Sequence, residues 1–351
     1  MKTSLVLDRR AALKLGLGIG IGSLLGLASA RAEDRTSNRQ TPGSNGNMGP
    51  RTDPPPLVDA RFPCEIAEDV WVIPDRRIFL VPNIGIVVGK KAALVIDCGL
   101  GPLCGQAVVQ AVERIAPGRR LILTQTHAHP EHAFGAVAFK NRAQIFLNRQ
   151  QNDYLLRSGP MLLQLFRERL GEQVREILEG SEIVPGTDFY DGDRASLDLG
   201  GRQVEFQAIG TAHSPGDQTI LLPKERILFA GDLIEERMFP IVPFNPPTIT
   251  KSDIDVTRWV DALSSFELID ASIIVPGHGS LGQAEIARSV REYFADVQAR
   301  VRKTAEGEGI ETLISELKRQ LLATYPTWEH DRFIDPAVRY DISHRQVSAR
   351  T

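Results

Sequence analysis

The stretch Thr126-His127-Ala128-His129-Pro130-Glu131-His132 places three of the chain's seven histidines within six residues. It follows Leu121-Ile122-Leu123-Thr124, a short apolar run suited to a buried strand, and precedes a helical pattern starting near Ala133. Alternate residues of an extended chain project to one side, so His127 and His129 are set to grip one ion. The helical turn beyond aims Glu131 and His132 elsewhere. One short motif thereby offers two neighbouring metal positions.

Three later segments share the grammar of a β-run that ends in a loop carrying a ligand-type residue. They are Gly210-Thr211-Ala212-His213-Ser214-Pro215-Gly216-Asp217, Leu228-Phe229-Ala230-Gly231-Asp232-Leu233 and Val275-Pro276-Gly277-His278-Gly279. Their glycines permit tight turns and close backbone approach. Around them, β-rich runs are expected at Val70–Ile73, Ile78–Val81, Ile84–Val88 and Ala92–Ile96 as hairpins, followed by a helix over Gly105–Ile115. Arg149–Leu178 reads as inserted helices. A second β-rich half covers Ala195–Leu199, Gln203–Ile209, Thr219–Leu222, Ile227–Ala230 and Ser272–Val275, with a helix over Ile254–Leu268. Two sheets with helices outside predict an α/β fold, a four-layer αβ/βα sandwich, onto which helices at Ala284–Val301 and Ile310–Leu322 pack.

The first residues act as an address. Arg9-Arg10 and Lys14 precede an uncharged apolar run from Leu15 to Ala30, which is short for a membrane span and ends in small residues where a peptidase could cut. Residues 1–32 are read as a signal peptide similar to a twin-arginine export signal, which predicts a periplasmic protein without stable membrane insertion after signal removal. Gly16-Leu17-Gly18-Ile19-Gly20 belongs to this signal and is no dinucleotide fingerprint. Residues 33–58, polar and Pro-rich, read as a flexible linker. A catalytic domain over 59–300 and a C-terminal helical extension over 301–351 complete the expected organisation. The whole chain of 351 residues carries a net charge of −3. Removal of the signal, with five basic residues and one acidic, makes the charge −7. No basic cluster is present, which argues against a nucleic-acid partner and leaves a small-molecule substrate. Three cysteines, Cys64, Cys98 and Cys104, cannot build a disulfide scaffold. Cys98 and Cys104 could pair across their short loop or remain free buried thiols.

Over roughly residues 66 to 295 the ordered set of motifs resembles the metallo-β-lactamase superfamily, whose signature runs His-x-His-x-Asp-His, a lone His, a lone Asp and a final His. The resemblance implies that His127, His129 and His213 hold a first metal, that Glu131, His132 and His278 hold a second, and that Asp232 bridges the two. Asp97 would support the site from behind. Two Zn2+ ions are implied, with iron as the alternative. Glu131 departs from the family's usual Asp. One methylene longer, its carboxylate must fold back or the second metal must shift by about an ångström. Glu131 and Asp232 are the residues with an implied catalytic as well as a metal-binding role. His330 and His344 lie outside the pattern and read as ordinary histidines.

The implied reaction is hydrolysis of a small carbonyl-containing substrate (an ester, thioester, lactone or lactam) by a di-zinc-activated water. β-Lactamase activity is one member of that class. A mononuclear-iron oxidoreductase acting on sulfur compounds and a non-catalytic metal-binding protein are the alternatives. The context His129-Pro130-Glu131-His132-Ala133-Phe134-Gly135 also looks like that of exported members associated with sulfur oxidation or quinoprotein systems. The inserted helices could roof the metal centre. The apolar loop Met238-Phe239-Pro240-Ile241-Val242-Pro243-Phe244-Asn245-Pro246-Pro247 could form a pocket wall or pack on the core, with Phe239 and Phe244 deciding.

Overall fold

Alternation of buried side chains sorts each central strand between two apolar layers. On β3 (Ile84–Val88) and β4 (Ala92–Ile96), Ile86, Val88, Ala93 and Val95 face one cluster and Val87, Leu94 and Ile96 face another. This is the period of two that a strand imposes. These residues belong to a computed structural model that describes residues 54–242, 253–303 and 309–348. The expected signal over 1–32, the linker up to residue 53 and Pro243 to Pro247 of the apolar loop, with Phe244, lie outside the described residues.

The first sheet runs in chain order through β1 (Cys64–Ala67), β2 (Val70–Ile73), β3, β4, β5 (Arg120–Thr124), β6 (Ala143–Asn148) and β7 (Asp188–Tyr190). Pairing is antiparallel up to β4 and parallel from β4 onward. The parallel connections carry α1 (Pro102–Ile115), α2 (Pro130–Ala133) with the tight helical turn Phe134–Phe139, and α3 (Arg149–Arg169) with α4 (Glu172–Ile177). The second sheet has the order β12 (Ile273–His278), β11 (Ile227–Glu235), β10 (Asp217–Leu222), β9 (Gln203–Gly210), β8 (Arg194–Asp198). Only β11 and β12 are parallel in it, joined through α5 (Val256–Phe266). α6 (Ala284–Lys303), α7 (Ile310–Thr324) and α8 (Ile334–Ser348) follow.

Three apolar clusters fill the spaces between these layers. Val72, Leu94 and Ile122 of the first sheet meet Phe206, Ile220 and Phe229 of the second. Val108, Val112 and Leu162 cover the outer face of the first sheet, and Trp259, Val290, Leu317 and Val338 cover that of the second. The expected four-layer αβ/βα sandwich is therefore the architecture. Pro56 and Val58 are already buried, Val58 in the same cluster as α1. Among the described residues no helix is long and apolar enough to cross a membrane.

Some expected elements differ. Ile78–Val81 is no strand, because Arg76, Arg77 and Leu80 take left-handed backbone (φ 51, 55 and 63°) and curl the segment into turns. β11 continues past Ala230 to Glu235, so Gly231 and Asp232 lie inside a strand, at an irregular step of its pairing with β12. α8 lies in the extension expected to be helical over 301–351, although it was not delimited there as a separate helix; Ile334, Val338 and Ile342 recur at helical spacing and are buried.

Candidate metal centre

Beyond Thr124 the chain leaves β5 extended, with His129 at φ −69° and ψ 152°, and Pro130 then opens α2. Proline suits this first helical position, where its fixed φ is already helical and no N–H is needed. The abrupt change sends His127 and His129 to one side and Glu131 and His132 to the other. His213 arrives from the β9–β10 loop, Asp232 from β11 and His278 from the end of β12.

All seven side chains converge. One donor atom from each of His127, His129, His213 and Asp232 lies within 4.8 Å of the others, and so does one from each of Glu131, His132, Asp232 and His278. Asp232 belongs to both groups. Its Oδ2 is 3.6 Å from His127 Nε2, 3.7 Å from His213 Nε2 and 3.7 Å from His278 Nε2, while its Oδ1 is 3.2 Å from His132 Nε2. The longer Glu131 side chain does place a carboxylate oxygen within its group. Gly277 makes room for this packing, since a Cβ there would stand 1.8 Å from Asp232 Oδ1.

Every one of these residues is buried. His127 Nε2, His132 Nε2, Glu131 Oε2 and both Asp232 oxygens nevertheless have no hydrogen-bond partner. Buried polar atoms are normally satisfied. A convergent set that is not, made of imidazole and carboxylate donors, suits a bound divalent cation such as zinc. Burial holds the imidazoles of His127 and His129 well below their ordinary range and that of His213 at about 4, which leaves their lone pairs available at neutral pH. At His132 burial is outweighed by the Asp232 and Asp97 carboxylates, which favour the imidazolium. Asp232 shows the converse: burial opposes its charge, but His132, His278 and His127 hold it ionised.

Asp97 stands where the sequence reading put it, behind the site. It accepts from Thr126 N (2.7 Å) and Thr126 Oγ1 (2.9 Å) and lies 2.9 Å from His132 Nδ1. Those contacts orient His132 so that Nε2 faces Asp232. Sequence reasoning missed a comparable brace on the other side, where buried Asp217 accepts from His213 N (2.6 Å), Ser214 N and Ser214 Oγ. It also missed Asn83, whose Nδ2 donates to Pro276 O and Gly279 O on either side of His278. Asp75 completes that brace by accepting from Gly279 N. Buried Glu235 takes Ile241 N, and burial together with Asp232 raises its carboxyl well above the usual range. Asp217 closes a quoted segment without any sign of its bracing role, and Asn83, Asp75 and Glu235 lie outside every motif, next to strand ends.

Other expectations resolve as follows. The first turn of α3 braces the site from behind, with Gln151 Nε2 donating to Gln125 O and Asn148 Nδ2, at the helix N-cap, donating to Gly216 O. Phe239 is core, fully buried against Tyr293 and Trp328, and Met238 and Ile241 instead line a small cavity beside Glu131 and His278. Cys98 and Cys104 are free buried thiols. His344 stacks on Tyr340 on the surface, as an ordinary histidine would, but His330 lines the cavity beside His278 and Glu131.

The sequence profile of the Metallo-beta-lactamase superfamily matches residues 77–278, more than half of the chain. The chain belongs to this superfamily. It is 29% identical over 111 residues to a type 2 metallo-beta-lactamase from Bacteroides fragilis, a match that spans 31% of this chain and 41% of that relative's length. Among solved structures, a metallo-beta-lactamase from Pontibacter korlensis superposes with a TM-score of 0.51 at 18% identity, covering 66% of this chain and 98% of the other. A metallo-beta-lactamase family protein from Thermus thermophilus gives 0.58 at 15% identity over 81% and 95%. A stereoselective inverting sec-alkylsulfatase from Pseudomonas gives 0.63 at 13% identity over 80% and 50%. At these identities the superpositions speak to the fold alone.

Proposed function

We propose that the protein is a di-zinc hydrolase of small carbonyl-containing substrates of the ester, thioester, lactone or lactam class. A single observation carries this reading: two buried donor groups share Asp232, and His127 Nε2, His132 Nε2, Glu131 Oε2 and both Asp232 oxygens have no hydrogen-bond partner. His127, His129 and His213 with Asp232 would hold one ion, and Glu131, His132 and His278 with Asp232 the other. Cations so held supply Lewis acidity and lower the pKa of a water to near neutrality. The chain's own residues set up that chemistry. Asp97 fixes the ring plane of His132, Asp217 fixes the loop of His213, and Asn83 and Asp75 fix the turn of His278. Glu235 is one more buried carboxyl beside the site, raised by burial and by Asp232, and so is able to hold a proton near the reacting atoms. The similarity to a type 2 metallo-beta-lactamase supports an acyl electrophile. The Arg9-Arg10 leader makes the periplasm the proposed compartment.

Elemental analysis of the purified protein, joined to a panel of activated esters, thioesters, lactones and β-lactams assayed before and after chelation, tests the reading. The expected result is about two zinc ions per chain and hydrolysis that chelation abolishes and zinc restores. A single iron with no hydrolysis of any member of the panel would replace the hydrolase with the sulfur-compound oxidoreductase.

A further inference from the structure

None of the seven side chains at the metal centre is more than 8% exposed. The cavity that reaches the second donor group, between Glu131 and His278 and an outer wall of Arg77, Phe79 and His330, measures about 20 Å³. That is room for about one or two waters, far below the roughly 300 Å³ at which ligand pockets begin. Anything larger needs the wall to move.

Three segments build that wall: the turn at 76–80 after β2, the stretch that follows β11, and the C-terminal extension ahead of α8. Among the described residues nine non-glycine positions have left-handed backbone, and five of them, Arg76, Arg77, Leu80, Arg237 and His330, gather in these segments. Such backbone is strained for a residue with a Cβ and persists where surrounding contacts over-determine it, as at clamps and switch regions.

Those contacts divide into a fixed part and a movable one. Glu329 N donates to Arg237 O and Phe239 N to Glu329 O, which ties the extension to the stretch after β11. Tyr325 and Trp328 pack on Tyr293 behind it, so the extension is rooted in the core. The turn is fixed at its two ends, where Asp75 N donates to Asn83 Oδ1 and Leu80 is buried. Its tip is more open, with Arg76 exposed and Arg77, Ile78 and Phe79 half-buried. What holds the tip down comes from across the wall. Arg77 pairs with Glu236 and lies 3.4 Å from Glu329 Oε1. The Phe79 ring is 5.5 Å from that of His330 by centroids, and the Arg332 guanidinium sits 4.3 Å from its centre.

Resting on the di-zinc reading above, we propose that the C-terminal extension is a latch: Glu329, His330 and Arg332 hold the strained tip of the turn shut over the second donor group, and the tip swings out about Asp75 and Leu80 to admit metal and substrate. Strain at Arg76 and Arg77 favours the open arm, and the contacts of Arg77 and Phe79 favour the closed one. Their balance sets how fast solutes reach the second site. The extension thereby governs access, a role separate from its packing in the core.

Two readouts on the full chain test this. The first needs no metal: hydrogen exchange at Ile78 N and Val81 N, which donate to Asp75 O and Ile78 O inside the turn, reports each opening of the tip. The second is transfer of zinc from the loaded protein to excess chromogenic chelator, whose rate levels off where opening limits it. Arg332→Ala removes the contact with Phe79 and should speed both about threefold, the size of an exposed cation–π contact. Arg77→Asn removes the ion pairs with a residue that tolerates left-handed backbone and should speed both about tenfold. Arg76→Gly should slow both about threefold, because glycine adopts φ 51° without strain and the lost pair with Asp59 is an exposed one. Equilibrium zinc affinity should stay at the wild-type value in Arg332→Ala and Arg76→Gly, since a gate alters uptake and release alike, whereas a general loosening of the fold would weaken it. Unchanged exchange at Ile78 and Val81 in Arg332→Ala and Arg77→Asn, or acceleration by Arg76→Gly, overturns the latch. A chain that takes up no zinc but shifts its exchange as expected would sink the di-zinc reading alone, and zinc uptake with unmoved exchange would sink the latch alone.

Discussion

Asp97 illustrates how one side chain governs another at this site. Backbone at φ 67° turns it inward, where it meets Thr126 and His132 and so fixes which nitrogen of His132 faces Asp232. Carboxylates behind a ligating histidine commonly set metal affinity over one to two orders of magnitude. Asp97→Ala should therefore weaken zinc binding at the second site about 10- to 100-fold in competition with a chromogenic chelator. Equal affinity in the variant would mean that His132 needs no such support. At this scale the sequence was most informative: three histidines in six residues after a strand are rare enough to name the motif, and the lone His213, Asp232 and His278 became readable through it. Asn83 and Asp75 stayed hidden because their importance lies in which backbone groups they meet across up to 204 positions of chain, as Asp75 does with Gly279. Asp217 stayed hidden although its partners His213 and Ser214 are close in sequence, because nothing in that segment marks it as a brace.

Strand ends are the elements that carry the site, and their loops are braced by side chains rather than by sheet pairing. Asn83 is the clearest case, buried just before β3 and spanning Pro276 O and Gly279 O with one amide. Asn83→Ala leaves those carbonyls unsatisfied, which costs about 1–3 kcal/mol. Urea unfolding should register that loss, and the His278 turn should bind its metal more weakly. A variant with wild-type stability and zinc affinity would show that the turn holds itself. Periodicity made most of β2 to β5 and β8 to β12 legible, since alternate residues there are apolar on both faces or on one. It failed at Ile78–Val81, an apolar run whose left-handed residues forbid an extended path. It also missed β7, where only three residues, Asp188–Tyr190, pair, too few for any period to show.

At the scale of the whole molecule the C-terminal helices are part of the core and not an appendage. Ile314, Leu317 and Leu321 of α7 share a cluster with Trp259 of α5 and Leu228 of β11, and Tyr325 and Trp328 pack on Tyr293 and Phe239. Leu321 is fully buried, so Leu321→Ala should cost about 2–5 kcal/mol. Unfolding followed by tryptophan fluorescence and by zinc release should shift together, as one cooperative transition. Separate transitions, with the zinc signal unmoved, would mark the extension as an independent unit. The two packed sheets were legible in the sequence because each alternates apolar and polar residues or is apolar throughout. The position of α8 was not, because its buried Ile334, Val338 and Ile342 are interspersed with Asp, Pro, Arg and Tyr.

Zinc stoichiometry in the wild-type chain and in two variants bears most directly on the shared-carboxylate cage. The account predicts about two ions per chain in the wild type, about one in Glu131→Gln with His213 and its partners intact, and none retained tightly in Asp232→Ala, whose carboxylate serves both groups. A wild-type chain that takes up no transition metal, or an Asp232→Ala chain that binds two ions as tightly as the wild type does, would contradict it.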